Sequence, residues 1–172
     1  MTRTIIHPNQ YFDLHSSSPL IFLAGPIRSA PKWHDDAIKY ISSKTEEISI
    51  ASPDRLNGNL IPSTLFPRQR AWELCYLNRA SNHPNGGCVM FWLPGEREHN
   101  CDKVYGAMTR VELGELITDY KYDKSTRFCV GTDGKFPEMH TIEYDLQIYA
   151  PNMKIFRTLE ETCDEAIRIA KS

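Results

Sequence analysis

The sequence predicts an α/β fold in which a parallel sheet of five strands is covered by helices on both faces. Two observations carry this prediction. Short apolar runs alternate with helical patterns through the whole chain, which is typical of a parallel sheet. The first of these runs, 20–24, is continuously apolar, and such a run suits a parallel strand that is buried on both of its faces.

The first half of the chain supplies two strands and two helices. The run 20–24 ends at a Gly-Pro pair, and the helix predicted for 31–44 begins at a proline, a residue favoured in the first helical turn. A short strand, 48–51, ends at a Ser-Pro pair, and a second helix, 68–80, follows another proline. We expect this second helix to bury Ala71, Leu74, Cys75 and Leu77.

The second half supplies three strands, at 88–93, 128–131 and 153–156. The segment 109–120 between the first two has helical periodicity, whereas 132–152 is predicted to be mostly loop. A closing helix follows the last strand, and a Thr-x-x-Glu sequence can form a capping box at its start. The five strands and their helices fit the flavodoxin-like, doubly wound class.

The chain is predicted to form a single domain over residues 1–172, with residues 1–19 as an N-terminal arm or a short edge element. Its formal net charge of -2 gives no reason to expect a nucleic acid polymer or an anionic membrane as a partner. No apolar run is long enough to span a bilayer, and the N-terminus lacks the apolar stretch of a signal peptide. We therefore expect a cytoplasmic protein.

The cysteines are widely spaced and never form a CxxC pair, which argues against a disulfide framework and against a zinc site. Four of them are predicted to be apolar core side chains: Cys75, Cys88, Cys129 and Cys163. Cys101 lies in a polar loop, where we expect it to be exposed. The sequence predicts neither a metal nor a redox cofactor.

The most informative segment is Thr109–Leu116, because it places a carboxylate, Glu112, near the start of a helix that follows the strand 88–93. Ligands of open α/β folds bind at this edge of the sheet. A carboxylate there can act as a nucleophile on a sugar carbon. The same residues can instead form a capping box, with Thr109 as N-cap and Glu112 as N3, so a structural role stays open.

This segment resembles the Thr-x-x-Glu-Leu-Gly motif of nucleoside 2-deoxyribosyltransferase-like proteins, in which that glutamate attacks C1′ of the nucleoside. The resemblance makes Glu112 the candidate catalytic residue and Thr109 a candidate substrate-binding residue. Four other segments resemble parts of the family, in the family's order: 21–27, 52–55, 69–73 and 90–94. The resemblance also implies a homo-oligomer whose active sites are completed by a neighbouring subunit.

Two loops that follow predicted strands contain further candidates for substrate binding. The first loop holds Gly25, Pro26, Ile27 and Arg28. Its glycine lets the backbone approach a ligand closely at the end of a strand. In the second loop, Asp54 or Arg55 is expected to contact a hydroxyl or a phosphate group. Both loops can also be ordinary turns, and this alternative stays open.

The remaining candidates lie on a helix and at a strand end. Gln69 and Glu73 are four residues apart and share one helix face, where they can line a pocket. Trp92, near the end of the strand 88–93, offers a flat surface on which a base can stack. In the alternative, Trp72 belongs to the core, Glu73 lies at the surface, and core packing accounts for the aromatic strand end.

The chain departs from the family pattern in two places. Ser81 stands where the family usually has an Asp that contacts the base. Asn82, His83 or Asn85 can replace that Asp or can belong to a surface loop. The first strand also lacks the tyrosine that some members place beside the sugar.

The resemblance implies transfer of a 2-deoxyribosyl group between nucleobases through a covalent glutamyl-sugar intermediate. The partners would be a nucleoside or nucleotide and a free nucleobase. One alternative is an N-glycosidase that hydrolyses nucleosides or nucleoside 5′-monophosphates, because Gly25–Arg28 resembles the Gly-x-Ile-Arg loop of such enzymes. Arg28 would then bind the 5′-phosphate. The other alternative is a non-catalytic nucleotide-binding module that keeps the fold.

Overall fold

The computed structural model describes residues 4–8, 10–11, 18–54 and 65–172. Within these residues, strands and helices alternate along the chain. The strands are β1 (Ile5–Ile6), β2 (Leu20–Ala24), β3 (Ser49–Ala51), β4 (Gly87–Leu93), β5 (Phe128–Thr132) and β6 (Ile155–Phe156). The helices are α1 (Trp33–Lys44), α2 (Phe66–Asn82), α3 (Ala107–Tyr122), α4 (Met139–Tyr149) and α5 (Leu159–Ala170).

The six strands form one sheet in the order β1-β3-β2-β4-β5-β6, and every neighbouring pair is parallel. Without the edge strand β1, the order of the other five is that of the flavodoxin-like, doubly wound fold. The chain moves outward in one direction from β2 to β3 and in the other direction from β4 to β6. The loops after β2 and β4 therefore diverge at their carboxyl ends, which is where folds of this class bind ligands.

Each face of the sheet carries its own apolar core. Along β2, the side chains of Phe22 and Ala24 join the core with α2, α3 and α4, whereas Ile21 and Leu23 join the core with α1 and α5. All five residues of this strand are buried. A continuously apolar strand is needed because helices cover both faces of the sheet.

The predicted element pattern needs two corrections. The sheet has six strands and not five, because the arm contributes β1 at the edge, paired with β3. The segment predicted to be mostly loop contains α4, which buries only Met139, Ile142 and Leu146. Its N-cap, Glu138, has a left-handed φ of 54° and makes no side-chain capping bond, so the usual start signal is missing.

Helix α2 turns a different face to the sheet from the one predicted, since Ala71 and Leu74 are exposed. The buried face is set by the large aromatic side chains of Trp72 and Tyr76. The indole N–H of Trp72 and the hydroxyl of Tyr76 also donate hydrogen bonds to the carbonyl of Gln10, at 2.8 and 3.3 Å, and so tie the arm to α2. Trp72 is fully buried, as the structural alternative expected.

The capping box that was left open as an alternative at Thr109 and Glu112 does not form, whereas the hydrogen bond from Glu161 to Thr158 expected at the start of α5 is present. Helix α3 begins at Ala107 after Gly106, so Thr109 and Glu112 lie inside the helix. At α5, the hydroxyl of Thr158 accepts a hydrogen bond from the N–H of Glu161 at 3.2 Å. The carboxylate of Glu112 is therefore not needed to begin its helix.

The cysteines largely follow the prediction. Cys88, Cys129 and Cys163 are buried, Cys75 is only partly buried, and Cys101 is exposed. None of the described helices is long and apolar enough to cross a membrane.

Candidate functional site

The candidate site is built around Glu112, in the second turn of α3. The residue is only 7% exposed, although it carries a carboxylate. Its side chain faces α2, where the guanidinium of Arg70 donates a short hydrogen bond to Oε1 of Glu112. In the described part of the chain, Oε2 of Glu112 accepts no hydrogen bond. Within these residues, one carboxylate oxygen is therefore held by Arg70, and the other has no hydrogen-bond partner.

Helix α2 holds Arg70 in place with two of its own side chains. Nη1 of Arg70 lies 3.4 Å from Oε2 of Glu73, three residues later on the same face. Nε2 of Gln69 donates to Oε1 of Glu73 at 2.8 Å. The polar chain Gln69–Glu73–Arg70–Glu112 thus connects the two helices, and we call it the site network.

The electrostatics of the site network are those of a poorly solvated ion pair. Burial raises the pKa of Glu112, and the hydrogen bond and charge of Arg70 oppose this rise. Burial also lowers the pKa of Arg70, but the two carboxylates outweigh burial, so the net shift in the pKa of Arg70 is upward. Arg70 therefore stays cationic, whereas burial outweighs this partner at Glu112, so the net shift in the pKa of Glu112 is upward.

The start of α3 is locked to the loop between β5 and α4, and this fixes which way Glu112 points. Gly106 has a left-handed φ of 65°, and a Cβ there would lie 2.7 Å from the ring of Phe136. Arg110 lies over the same ring, 4.5 Å from its centroid, and donates to the carbonyl of Pro137 at 2.8 Å. Tyr105 anchors the preceding turn, because its hydroxyl donates to the carbonyl of Pro94 at 3.0 Å.

Thr109 lies one turn before Glu112 on α3 and is 4% exposed. Its hydroxyl makes no hydrogen bond within the described residues. A buried hydroxyl without a protein partner is available to a ligand, and the spacing of three residues puts it on the same helix face as Glu112.

The first candidate loop packs tightly after β2, at the point where the strand order reverses. A Cβ on Gly25 would lie 2.4 Å from the carbonyl oxygen of Trp92 and 2.7 Å from the ring of Trp33. The indole of Trp33 donates to the carbonyl of Pro26 at 3.0 Å, so this part of the loop is fixed. Ile27 and Arg28 follow and are exposed.

The structure does not gather all the sequence candidates around Glu112. Trp92 is 6% exposed and packs with Trp33 in the core beneath α1 and α5, whereas Glu112 lies on the side of α2 and α3. Asp54 is half-buried, and its carbonyl lies 3.1 Å from Nδ1 of His7. Arg55 lies outside the described residues.

Ser81 lies near the amino ends of the strands, whereas the start of α3 follows the carboxyl end of β4. It is fully buried near the end of α2, and its carbonyl accepts a hydrogen bond from the N–H of Arg127, just before β5. Its hydroxyl donates to the carbonyl of Asn78 at 3.1 Å. His83 lies at the same end of the strands, since its carbonyl accepts from the guanidinium of Arg127. Ser81 is therefore not one of the groups around Glu112.

The sequence interpretation missed Arg70. Arg70 and Glu73 are three residues apart, and this spacing alone predicts a contact within α2. No sequence pattern predicts the contact between Arg70 and Glu112, because it depends on how α2 and α3 pack.

Two other features of the described residues bear on ligand binding. No group of three or more His, Cys, Asp or Glu side chains there is arranged to hold a metal ion. An open groove of about 450 Å³ lies between α2 and α3, lined in part by Leu74, Gly114 and Asp119. Glu112 and Arg70 do not line it. The groove is therefore distinct from the carboxylate site.

No family model matches the chain, and no curated protein sequence matches it. The relation to nucleoside 2-deoxyribosyltransferase-like proteins therefore rests on the sequence segments described above and is a proposal.

Proposed function

We propose that the protein transfers a 2-deoxyribosyl group between nucleobases through a covalent ester on Glu112. The observation that carries the proposal is the state of this carboxylate. Glu112 is buried, one of its oxygens is held by Arg70, and it is not a helix cap. A buried carboxylate without a capping role needs another reason to be there, and its segment resembles the motif that carries the family nucleophile.

The chemistry would take two displacements at C1′. In the first, a lone pair of Glu112 forms a bond to C1′, and the electrons of the C1′–N bond leave with the base, which takes up a proton from solvent. In the second, a nitrogen of the incoming base attacks C1′ and loses its proton, and the electrons of the C1′–O bond return to Glu112. Two inversions give net retention, as in retaining glycosidases.

The second candidate function is hydrolysis of nucleosides or nucleoside 5′-monophosphates. The exposed side chain of Arg28, after the fixed part of the loop that follows β2, favours it because a guanidinium there can reach a phosphate. Water would replace the incoming base in the second displacement. We favour transfer because the segments 69–73 and 90–94 look more like the transferase branch of the family.

The proposal extends to assembly and location. We propose a homo-oligomer in which a neighbouring subunit completes the site. Exposed apolar side chains near the first turns of α2 and α3 support this: Phe66, Met108 and Val111. We also propose a cytoplasmic location, where nucleosides, nucleotides and free bases are available. Light scattering of the purified protein at several concentrations tests the assembly.

The decisive experiment is chromatography of deoxyinosine incubated with adenine or cytosine and the protein. Transfer yields deoxyadenosine or deoxycytidine together with hypoxanthine. Hydrolysis yields hypoxanthine without a new nucleoside. Binding of deoxyinosine without any release of hypoxanthine would instead identify a non-catalytic binding module and overturn both enzymatic functions.

A further inference from the structure

The contact between Arg70 and Glu112 differs from a surface ion pair in three ways. The two residues are 42 positions apart and lie on different helices. Both side chains are largely withdrawn from solvent, with 17% and 9% exposed. Arg70 also forms an ion pair with Glu73, and Glu73 accepts a hydrogen bond from Gln69. Ordering this long side chain carries an entropy cost that a lone exposed pair rarely recovers.

The two oxygens of the Glu112 carboxylate have different environments. Oε1 of Glu112 is bound by Arg70, while Oε2 has no hydrogen-bond partner in the described residues. A nucleophilic carboxylate needs this asymmetry, because one oxygen must be free to form the new bond while the group is held in position.

We propose that Arg70 is a positioning residue of this site: it holds Oε1 of Glu112 as a charged partner and leaves Oε2 to form and break the bond to C1′. This inference rests on the proposed function. It assigns Arg70 an action through Glu112 and no contact with the reacting atoms.

The two chemical steps respond to Arg70 in opposite ways. When Oε2 attacks C1′, the carboxylate loses its negative charge, so a cation beside Oε1 does not help this step. When the ester breaks, the electron pair of the C1′–O bond returns to Glu112, and the cation stabilises the charge that develops. Arg70 therefore favours the ionised enzyme before the first step and the departure of Glu112 in the second.

The protonation of Glu112 depends on a small set of charged neighbours. Arg70 and Glu73 act on it from α2, and Glu115 acts on it from α3 itself. Arg70 is the single cation in this set, while the two carboxylates and burial all favour the protonated acid. Removal of Arg70 should therefore leave Glu112 protonated up to a higher pH.

The test compares R70Q and R70K with the matched control R68Q, which removes an exposed guanidinium from the same helix. Selective ¹³C labelling of glutamate carboxyl carbons allows Glu112 to be titrated by NMR without any turnover. The signal that is lost in E112Q assigns the resonance. We expect the pKa of Glu112 to rise in R70Q, to stay near the wild-type value in R70K, and to be unchanged in R68Q. Equal titration in the wild type and R70Q would overturn the inference.

Kinetics and mass spectrometry supply the second readout. In R70Q we expect kcat to fall roughly 10- to 100-fold at neutral pH, the loss of one charge-assisted hydrogen bond, with a smaller change in KM. The acidic limb of the pH–rate profile should move to higher pH. At alkaline pH, where Glu112 is ionised without help, the sugar ester should accumulate on R70Q as an added mass of one deoxyribosyl group.

The outcomes separate the two proposals. If the wild type releases no base, the proposed function fails, while the titration still decides whether Arg70 controls the charge of Glu112. If the wild type transfers sugar and R70Q does so at the same rate, only the role of Arg70 fails. If R70Q does not fold, R70K decides, because lysine keeps the charge. An inactive R70K whose Glu112 titrates as in the wild type would overturn the role assigned to Arg70, because the charge beside Oε1 would be kept without its effect on the chemistry.

Discussion

Glu112 is the residue on which the proposed chemistry depends, and the fold does not need its charge to begin a helix. We expect Glu112→Gln to keep the fold, because the amide oxygen can still accept a hydrogen bond from Arg70. Base release should fall by several orders of magnitude, since an amide is not a nucleophile. Asp119→Asn, on the exposed side of the same helix, is the control and should retain activity. Near-full turnover by Glu112→Gln would remove Glu112 from the mechanism.

Gly25 lies where there is no room for a larger side chain. An added Cβ would overlap the carbonyl oxygen of Trp92, a backbone atom in the central strand, and the ring of Trp33. Neither neighbour can yield without moving packed structure. We expect Gly25→Ala to lower the free energy of unfolding by about 1–3 kcal/mol, the usual cost of overpacking. Urea unfolding followed by circular dichroism measures this, and an unchanged midpoint would contradict the close approach.

Individual residues also show where sequence reasoning about the site reached its limit. Glu112 and the pair Gln69 and Glu73 were found from short motifs, and the structure places them in one connected network. Arg70 was not found, because its partner lies on another helix. Trp92 was expected to face a base, yet its side chain lies in the core. When a strand is buried on both faces, its sequence does not indicate which of its side chains face a binding site.

Among the elements, the Thr-x-x-Glu sequences at Thr109 and Thr158 show that a motif alone does not define a helix start. The sequence at Thr158 is a cap, whereas α3 begins before Thr109 because Gly106 can adopt a left-handed conformation against Phe136. The elements themselves were largely predictable from apolar periodicity. Helix α4 was not, because three buried residues and an uncapped start give a weak pattern.

The confirmed cap leads to a prediction for α5. Thr158→Ala removes the hydroxyl that accepts from the N–H of Glu161, and we expect a loss of about 1 kcal/mol in the free energy of unfolding. Thr141→Ala is the matched control, because Thr141 is exposed within α4 and caps no helix. Thermal unfolding of both variants beside the wild type measures the difference. A Thr158→Ala protein as stable as the control would show that the cap contributes nothing.

For the whole molecule, the parallel sheet with helices on both faces and its flavodoxin-like class followed from the alternation of elements, and the order of the five strands after β1 agrees with that class. The packing of one helix on another did not follow, because it is decided by side chains distant in sequence. This packing also decides the site, because α2 and α3 lie on the same face of the sheet and so bring Arg70 to Glu112. The fold class was therefore predictable, while the contact that defines the site was not.

Stability of the whole protein against acid should depend on His34. This side chain is 1% exposed, its ring stacks on Trp33 at a centroid distance of 3.7 Å, and its Nε2 has no hydrogen-bond partner among the described residues. Burial lowers the pKa of His34 to about 3, from 6.5 in an exposed histidine. Between these two values the unfolded chain binds a proton that the folded chain excludes, so the folded state loses stability as the pH falls.

The contribution of His34 is therefore complete above pH 6.5 and decreases below it, by about 1.4 kcal/mol for each pH unit. We expect the free energy of unfolding of His34→Gln, measured with urea at pH 7, 6 and 5, to fall less steeply than that of the wild type. The amide does not titrate, so the difference between the two slopes isolates this one group from the carboxylates that also respond to acid. His140→Gln, which replaces an exposed histidine on α4, is the matched control. Parallel slopes for the wild type and His34→Gln would contradict this prediction, because they would mean that the folded protein accepts a proton at His34 despite its burial.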